Sequence, residues 1–244
     1  MTMRLDVLPH RTAGAAENMA NDFLLLQRYP ESAAARFRTY SWRGSAWTFG
    51  YSQKIAFVRT QLPVAAGSND SCRRVTGGGV VDHREDWTYA LVIPRGFALE
   101  ELRASEGYRN IHECLAAVLR TAGVPASVKV DCNLPADGEL ACGPAGVCFQ
   151  RAELYDIINE TTGQKIAGAA QKRNKHGLLF QGSLWRPAVA PSTVDWDRLA
   201  ENFATALATM LEAEAVEKSW PEFNEEEFSA LVEHYGSTEW IEHR

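Results

Sequence analysis

Residues 73–83 read Arg73-Arg74-Val75-Thr76-Gly77-Gly78-Gly79-Val80-Val81-Asp82-His83. The spacing is not G-x-G-x-x-G and no Gly-Lys-Ser/Thr follows, so this is neither a dinucleotide fingerprint nor a P-loop. Three consecutive glycines let the backbone approach a ligand with no Cβ in the way. Free N–H groups in such a loop can cradle a carboxylate, a phosphate or a developing oxyanion, and Arg73 and Arg74 add anion-binding charge. A flexible hairpin tip with solvated arginines is the other reading of the same residues. Upstream, Cys72–Val75 reads as a strand running into the glycines; downstream, residues 87–93 (WTYALVI) read as a strand stopped by Pro94.

Further out, residues 15–28 have a helical period with Met19, Phe23 and Leu26 on one face. Residues 36–40 and 46–51, around Gly44-Ser45, predict a hairpin. Ile111, Leu115, Val118, Leu119 and Ala122 predict a second helix ended by Gly123, and Trp196 to Met210 a third. Asn224 with Glu227 three residues on predicts a capped helix over 224–235. Strands are expected at 128–130, 153–159, 164–170 and 178–185, and residues 63–71 and 133–147 are loop-like. Strands and helices without strict βαβ alternation predict an α/β (α+β mixed-sheet) fold.

The chain has 244 residues, 45% of them apolar and 23% charged, enough for one or two domains with a real core. Its net charge of -6 argues against a nucleic-acid binder. All of that charge lies in residues 217–244, so the expected organisation is a catalytic domain over 1–216 and an acidic helical extension over 217–244 packed on it. The first residues have no apolar signal region, and no run approaches the roughly 18 apolar residues of a membrane span. Five cysteines (Cys72, Cys114, Cys132, Cys142, Cys148) without C-x-x-C spacing signal neither a disulfide framework nor a zinc site, so the expected compartment is a reducing cytoplasm and no metal is expected.

Two further motifs bear on chemistry. In Gln164-Lys165-Ile166-Ala167-Gly168-Ala169-Ala170-Gln171, strand alternation puts Lys165 with Ala167 and Ala169, and Gly168 with Ala170 on the opposite face. The small residues leave a slot for an extended apolar ligand; Lys165 is either a group that polarises an acyl carbonyl or a solvated edge charge. In Gly146-Val147-Cys148-Phe149, Cys148 is either a nucleophile or a small buried hydrophobe. Residues 165–176 hold four bases (Lys165, Lys172, Arg173, Lys175) and no acid, which predicts a basic rim attractive to acidic partners.

Taken in order, these motifs resemble the lipoate-protein ligase A / octanoyltransferase family, whose catalytic domain is similar to that of biotin protein ligases. Arg73–His83 is similar to its R-R-x-[ST]-G-G-G-x-V-x-H loop, and Lys165–Gln171 to its K-[IV]-x-G-[SN]-A-Q segment. Glu17-Asn18-Met19-Ala20 with Asp22 resembles its N-M-A-x-D helix, and Tyr40-Ser41-Trp42 with Gly50-Tyr51-Ser52-Gln53 its segment ending in G-x-x-Q. The likeness runs from Glu17 to Ser183. Val147-Cys148-Phe149 and Ser237-Thr238-Glu239-Trp240 resemble the cysteine-dependent octanoyltransferase branch typified by the enzyme of the glycine-cleavage H protein (GcvH). Three departures stand out: Arg84 where the family has Asp, Gln181 where it has His in Phe180-Gln181-Gly182-Ser183, and Thr161-Thr162-Gly163 before Lys165.

The resemblance implies a single catalytic domain with a mixed sheet flanked by helices and an octanoyl- or lipoyl-transfer activity needing no cofactor. Cys148 is the implied nucleophile and Lys165 the implied polarising group. Arg73, Arg74, Thr76, Gly77, Gly78, Gly79, His83, Gly168, Ala169, Ala170, Gln181 and Gly182 are the implied substrate-binding residues, His83 being either a base or a residue packed beneath the loop. The implied partners are acyl carrier protein and a lipoyl-domain acceptor, either the glycine-cleavage H protein or a 2-oxoacid dehydrogenase E2, with no nucleic acid and no membrane. Two alternatives remain: a lipoate- or biotin-protein ligase using ATP and Mg, and a non-catalytic acyl-binding subunit.

Overall fold

The computed structural model describes residues 3–31, 33–62, 70–131, 149 and 151–243. In chain order these form β1 (Met3–Ala13), α1 (Ala15–Gln27), β2 (Ala35–Trp42), β3 (Ala46–Phe49), α2 (Ile55–Gln61), β4 (Asp70–Arg73), β5 (Val80–Asp82) and β6 (Asp86–Pro94). There follow α3 (Ala98–Glu101), α4 (Ala104–Thr121), β7 (Ala126–Val128), β8 (Ile157–Asn159), β9 (Lys165–Asn174) and β10 (Gly177–Trp185). The chain ends in α5 (Trp196–Met210), β11 (Ala213–Glu217), α6 (Glu225–Gly236) and α7 (Thr238–Ile241).

The main sheet has the order β11-β1-β2-β6-β10-β9-β8-β7, and a small sheet has the order β4-β3-β5. β11, β1 and β2 run parallel, and every later pairing in the main sheet is antiparallel. One face of the sheet carries the main core. Phe37, Tyr89, Leu91, Phe180 and Leu184 meet Ile111 and Leu115 of α4 and Phe203 and Leu207 of α5. The amphipathic periods of α4 and α5 supply the apolar stripes that close this layer. On the other face α1 packs against the sheet, with α6 outside it. Asp70 caps α1 from the small sheet, accepting from Ala15 N–H at 2.7 Å.

The mixed sheet between helical layers agrees with the expected fold class. The expected hairpin over 36–51 does not form: β2 pairs with β1 and β6 in the main sheet, while β3 pairs with β4 and β5 in the small one. The tight turn at Gly44 (φ 82°) instead moves the chain from one sheet to the other. Among the described residues no helix is long and apolar enough to cross a membrane.

Candidate active site

The site lies where the triple-glycine loop folds over the main sheet, and the sequence around it serves to hold that loop. Arg74 is buried, donating to Thr48 Oγ1 at 2.6 Å and to the carbonyls of Gly77 and Gly79 at 2.8 and 3.0 Å. Gln53 donates to the Gly78 carbonyl at 3.0 Å, so all three glycine carbonyls are engaged from the protein side. Gly50 makes this possible, because a Cβ there would stand 2.2 Å from the Gly78 oxygen. Tyr51 N–H donates to the Thr76 carbonyl at 2.8 Å. The glycine and the glutamine of Gly50-Tyr51-Ser52-Gln53 are thus the loop's docking surface.

Beneath the loop, polar side chains form two closed chains of hydrogen bonds. In the first, Thr48 donates to His83 Nε2 (2.7 Å), and His83 Nδ1 donates to Asp86 Oδ2 (2.6 Å). That oxygen also accepts from Thr88 (2.8 Å) and from Ser183. Both ring nitrogens of His83 are therefore occupied, and Trp42 stacks on the ring at 3.9 Å. His83 packs beneath the loop, held at both ring nitrogens, and borders the slot described below. In the second chain, Thr76 donates to Gln181 Oε1 at 2.7 Å, and Gln181 donates to Asp22 Oδ2 at 2.6 Å. Asp22 is paired at 2.6 Å with Arg38, both side chains being buried. The Asn18–Asp22 motif of α1 is thus an arginine clamp, since Arg38 also bonds Asn18 at its carbonyl and side chain.

Lys165 does not share a face with Ala167 and Ala169 as plain alternation predicts. The pairing of β8 with β9 slips between Ile157↔Ala167 and Ile158↔Lys165, a bulge that inserts one residue and inverts the side-chain parity. Lys165 therefore lies on the Gly168 face, where a Cβ on Gly168 would stand 2.6 Å from both Cε and Nζ. Its ammonium meets Asp156 Oδ2 at 2.7 Å, with the two side chains only 5% and 2% exposed. Tyr108 donates to Asp156 Oδ1 at 2.5 Å and accepts from Ala169 N–H at 2.9 Å, at the edge of β9 beyond its pairing with β8. A buried charge pair of this kind persists only with such supporting hydrogen bonds.

Two cavities meet here. A narrow slot of about 40 Å³ runs between the loop (Gly78, Gly79, Val81) and the sheet (Gly168, Ala170, Gln181, Ser183), towards Tyr40, Trp42 and His83. A cavity of about 470 Å³ beside it is lined by Gln53, Tyr108, Arg151, Asp156, Lys165 and Gln171, among others. Gly78, Gly79 and Ala169 border both.

The structure thus brings Arg74, Gly78, Gly79, His83, Lys165, Gly168, Ala169, Ala170, Gln181 and Gly182 to the slot or the cavity. Arg73 is placed otherwise. It is buried, and its guanidinium donates to the carbonyls of Tyr51, Gln53, Trp240 and Ile241 at 2.7–3.1 Å. Its charge secures the C-terminal helix, not a bound anion. Thr76 and Gly77 act within the loop and outside both cavity walls. Cys148, Cys132 and Cys142 lie outside the described residues. The expected rim of four bases is also changed. Lys165 is balanced by Asp156, and Arg173 lies 3.5 Å from Glu100, which leaves Lys172 and Lys175 as exposed charges. Sequence reading missed Asp156 and Tyr108, which come from two separate segments; Gln53 was legible only as part of the G-x-x-Q motif. Among the described residues no cluster of His, Cys, Asp and Glu is suited to a metal ion.

The profile of the lipoyl protein ligase A/B catalytic domain matches residues 14–196. Three relatives named octanoyltransferase LipM are similar over most of the chain. That of Macrococcus caseolyticus is 26% identical over 93% of this chain and 94% of its own length. That of Symbiobacterium thermophilum is 30% identical over 84% and 77%, and that of Bacillus cereus 32% over 77% and 65%. Among solved structures, a lipoate-protein ligase A bound with ATP superposes with a TM-score of 0.70 at 18% identity, covering 99% of each chain. A bi-partite lipoate protein ligase of Thermoplasma acidophilum does so with a TM-score of 0.68 at 18% identity, over 99% and 97%. These two show a shared fold.

Proposed function

The chain belongs to the lipoyl protein ligase A/B catalytic domain family, and from that premise we propose that it is an octanoyltransferase of lipoate metabolism, working through a Cys148 thioester. One observation carries the reading: a slot of apolar and small residues opens beside a buried, pre-oriented lysine onto a cavity large enough for a second reactant. From β9 through β10 and β6 to β2 the slot crosses three strand spacings, about 14 Å. An extended octanoyl chain, at about 1.3 Å per bond, is about 9 Å long, and we place it along this line with its methyl towards Trp42.

In the first step the Cys148 thiolate attacks the octanoyl thioester of a carrier protein. The new C–S bond forms, and the carrier's thiol leaves and takes up a proton. Lys165, and N–H groups of the glycine loop, stabilise the oxyanion; donors fixed in advance in a dry site are the largest contribution to such steps. Asp156 and Tyr108 hold the lysine in place, so little reorganisation accompanies the reaction. In the second step the neutral amine of an acceptor lysine attacks the enzyme thioester, an amide forms and the Cys148 thiol is regenerated. Arg151, three residues after Cys148 in sequence, lines the larger cavity. The relatives' name supports octanoyl as the acyl group. Exposed Lys172 and Lys175 support acidic donors and acceptors, an acyl carrier protein and a lipoyl domain. The buried Cys72, whose thiol burial pushes far above the ordinary range, is not a competing nucleophile.

The test is transfer from octanoyl-acyl carrier protein to a lipoyl domain or glycine-cleavage H protein without nucleotide. An octanamide on the acceptor lysine is the expected product. Transfer only from free octanoate or lipoate and only with ATP overturns the proposal in favour of a ligase.

A further inference from the structure

The turn that supplies Asp156 is held from outside the cavity. Tyr155, just before it, has a φ of 68°, a left-handed conformation that is costly for any residue with a Cβ and persists where the surroundings over-determine it. Its N–H donates to the Lys129 carbonyl at 2.7 Å, and its own carbonyl accepts from His112 Nδ1 at 2.6 Å. His112 is fully buried on α4, one turn after Tyr108, so one helix face grips both the Asp156 carboxylate and the carbonyl of the residue before it. A carbonyl can only accept, so Nδ1 carries the proton; the buried Nε2 has no hydrogen-bond partner. Burial lowers the pKa of this imidazole to about 4, so it is a neutral donor at physiological pH. The acyl-transfer scheme above makes no use of His112, and it lines neither cavity.

We propose that His112 is a positioning residue: by donating Nδ1–H to the Tyr155 carbonyl it locks the left-handed turn that aims Asp156 at Lys165. The functional weight of this clamp rests on Lys165 being the reactive-site lysine, but its physical effect is measurable without any transfer reaction. An asparagine side chain presents an N–H where Nδ1 lies, and a glutamine where Nε2 lies, so His112→Asn and His112→Gln separate the position of the donor from polarity and size. The purified chain is pulsed with acetic anhydride, and acetylation of Lys165 is measured by peptide mass spectrometry against exposed Lys175. Wild type and His112→Asn are expected to agree within about twofold, while His112→Gln acetylates Lys165 at least fivefold faster. Glycine holds a positive φ unaided, so in a Tyr155→Gly background the effect of His112→Gln is expected to vanish. In the transfer assay His112→Gln lowers kcat about tenfold with the KM for the acyl donor unchanged. Equal labelling of Lys165 in the Asn and Gln variants, or an effect that persists with Gly at 155, overturns the proposal. An inactive wild type with the expected labelling pattern instead overturns the transferase reading and leaves the clamp standing.

Discussion

Gly168→Ala isolates the lysine on which the chemistry depends. A Cβ at position 168 falls 2.6 Å from both Cε and Nζ of Lys165, and 3.1 Å from Asp156 Oδ1. Ordinary contact begins near 3.5 Å, so the ammonium must retreat by about 1 Å. That opens its 2.7 Å contact with Asp156 beyond hydrogen-bonding range. A reactive group displaced by about 1 Å costs on the order of 100-fold in rate. The fold should survive, because the obstructing atoms are the end of a side chain and no positive φ is involved at this position; overpacking of this kind costs about 1–3 kcal/mol. The assay is single-turnover octanoyl transfer, with thermal unfolding as the control for folding. The loss should appear in kcat, and Lys165→Met should add little in the Gly168→Ala background, since both remove the same interaction. A Gly168→Ala chain within about threefold of wild-type kcat, or losses at 165 and 168 that simply add, would refute the reasoning.

Three further outcomes follow from the same structure. Arg73→Ala should destabilise the chain by about 3–5 kcal/mol, because four half-buried backbone carbonyls lose a buried charged donor, and limited proteolysis should then cut near residues 237–243; Arg73→Lys should recover little of this, since an ammonium cannot reproduce the fork. His112 has a folded-state pKa of about 4 against 6.5 unfolded, so between these values only the unfolded chain takes the proton and stability falls as pH drops. Urea titration should show a loss approaching roughly 3 kcal/mol between pH 7 and pH 4 from this residue, and His112→Asn should remove that part. Finally, the roughly 14 Å slot should accept octanoyl and reject hexadecanoyl donors, whose extended chain is about 19 Å; Trp42→Ala, which opens the far end, should raise relative use of decanoyl and dodecanoyl thioesters, as read by competition between donors.

Helical periods in the sequence located α1, α5 and α6 to within a few residues, and the C-terminal part of α4 with its stop at Gly123, because each buries one apolar stripe. β1 escaped notice. Its run Met3–Ala13 contains Arg4, Asp6, Pro9, His10 and Arg11, and a register shift between Leu8 and Arg11 breaks its alternation. The acidic strand β11 has no apolar run at all and is fixed by its parallel pairing with β1. At the site, the glycine loop and Lys165 were legible as motifs, but the face of Lys165 was not, since a bulge depends on a partner strand that local sequence does not reveal. The direction of Arg73 was equally hidden. Its acceptors are backbone carbonyls near residues 51–53 and 240–241, and carbonyls carry no sequence signature. Asp156 and Tyr108 are ordinary residues in sequence and become partners only when α4 packs beside β9.

The most direct test of the account is the intact mass of the chain after incubation with octanoyl-acyl carrier protein and no nucleotide. A covalent octanoyl adduct that forms in wild type, is discharged by an acceptor lipoyl domain and is absent in Cys148→Ala is the predicted result. An unmodified wild type that nevertheless acylates the acceptor, or an adduct that persists in Cys148→Ala, would contradict it.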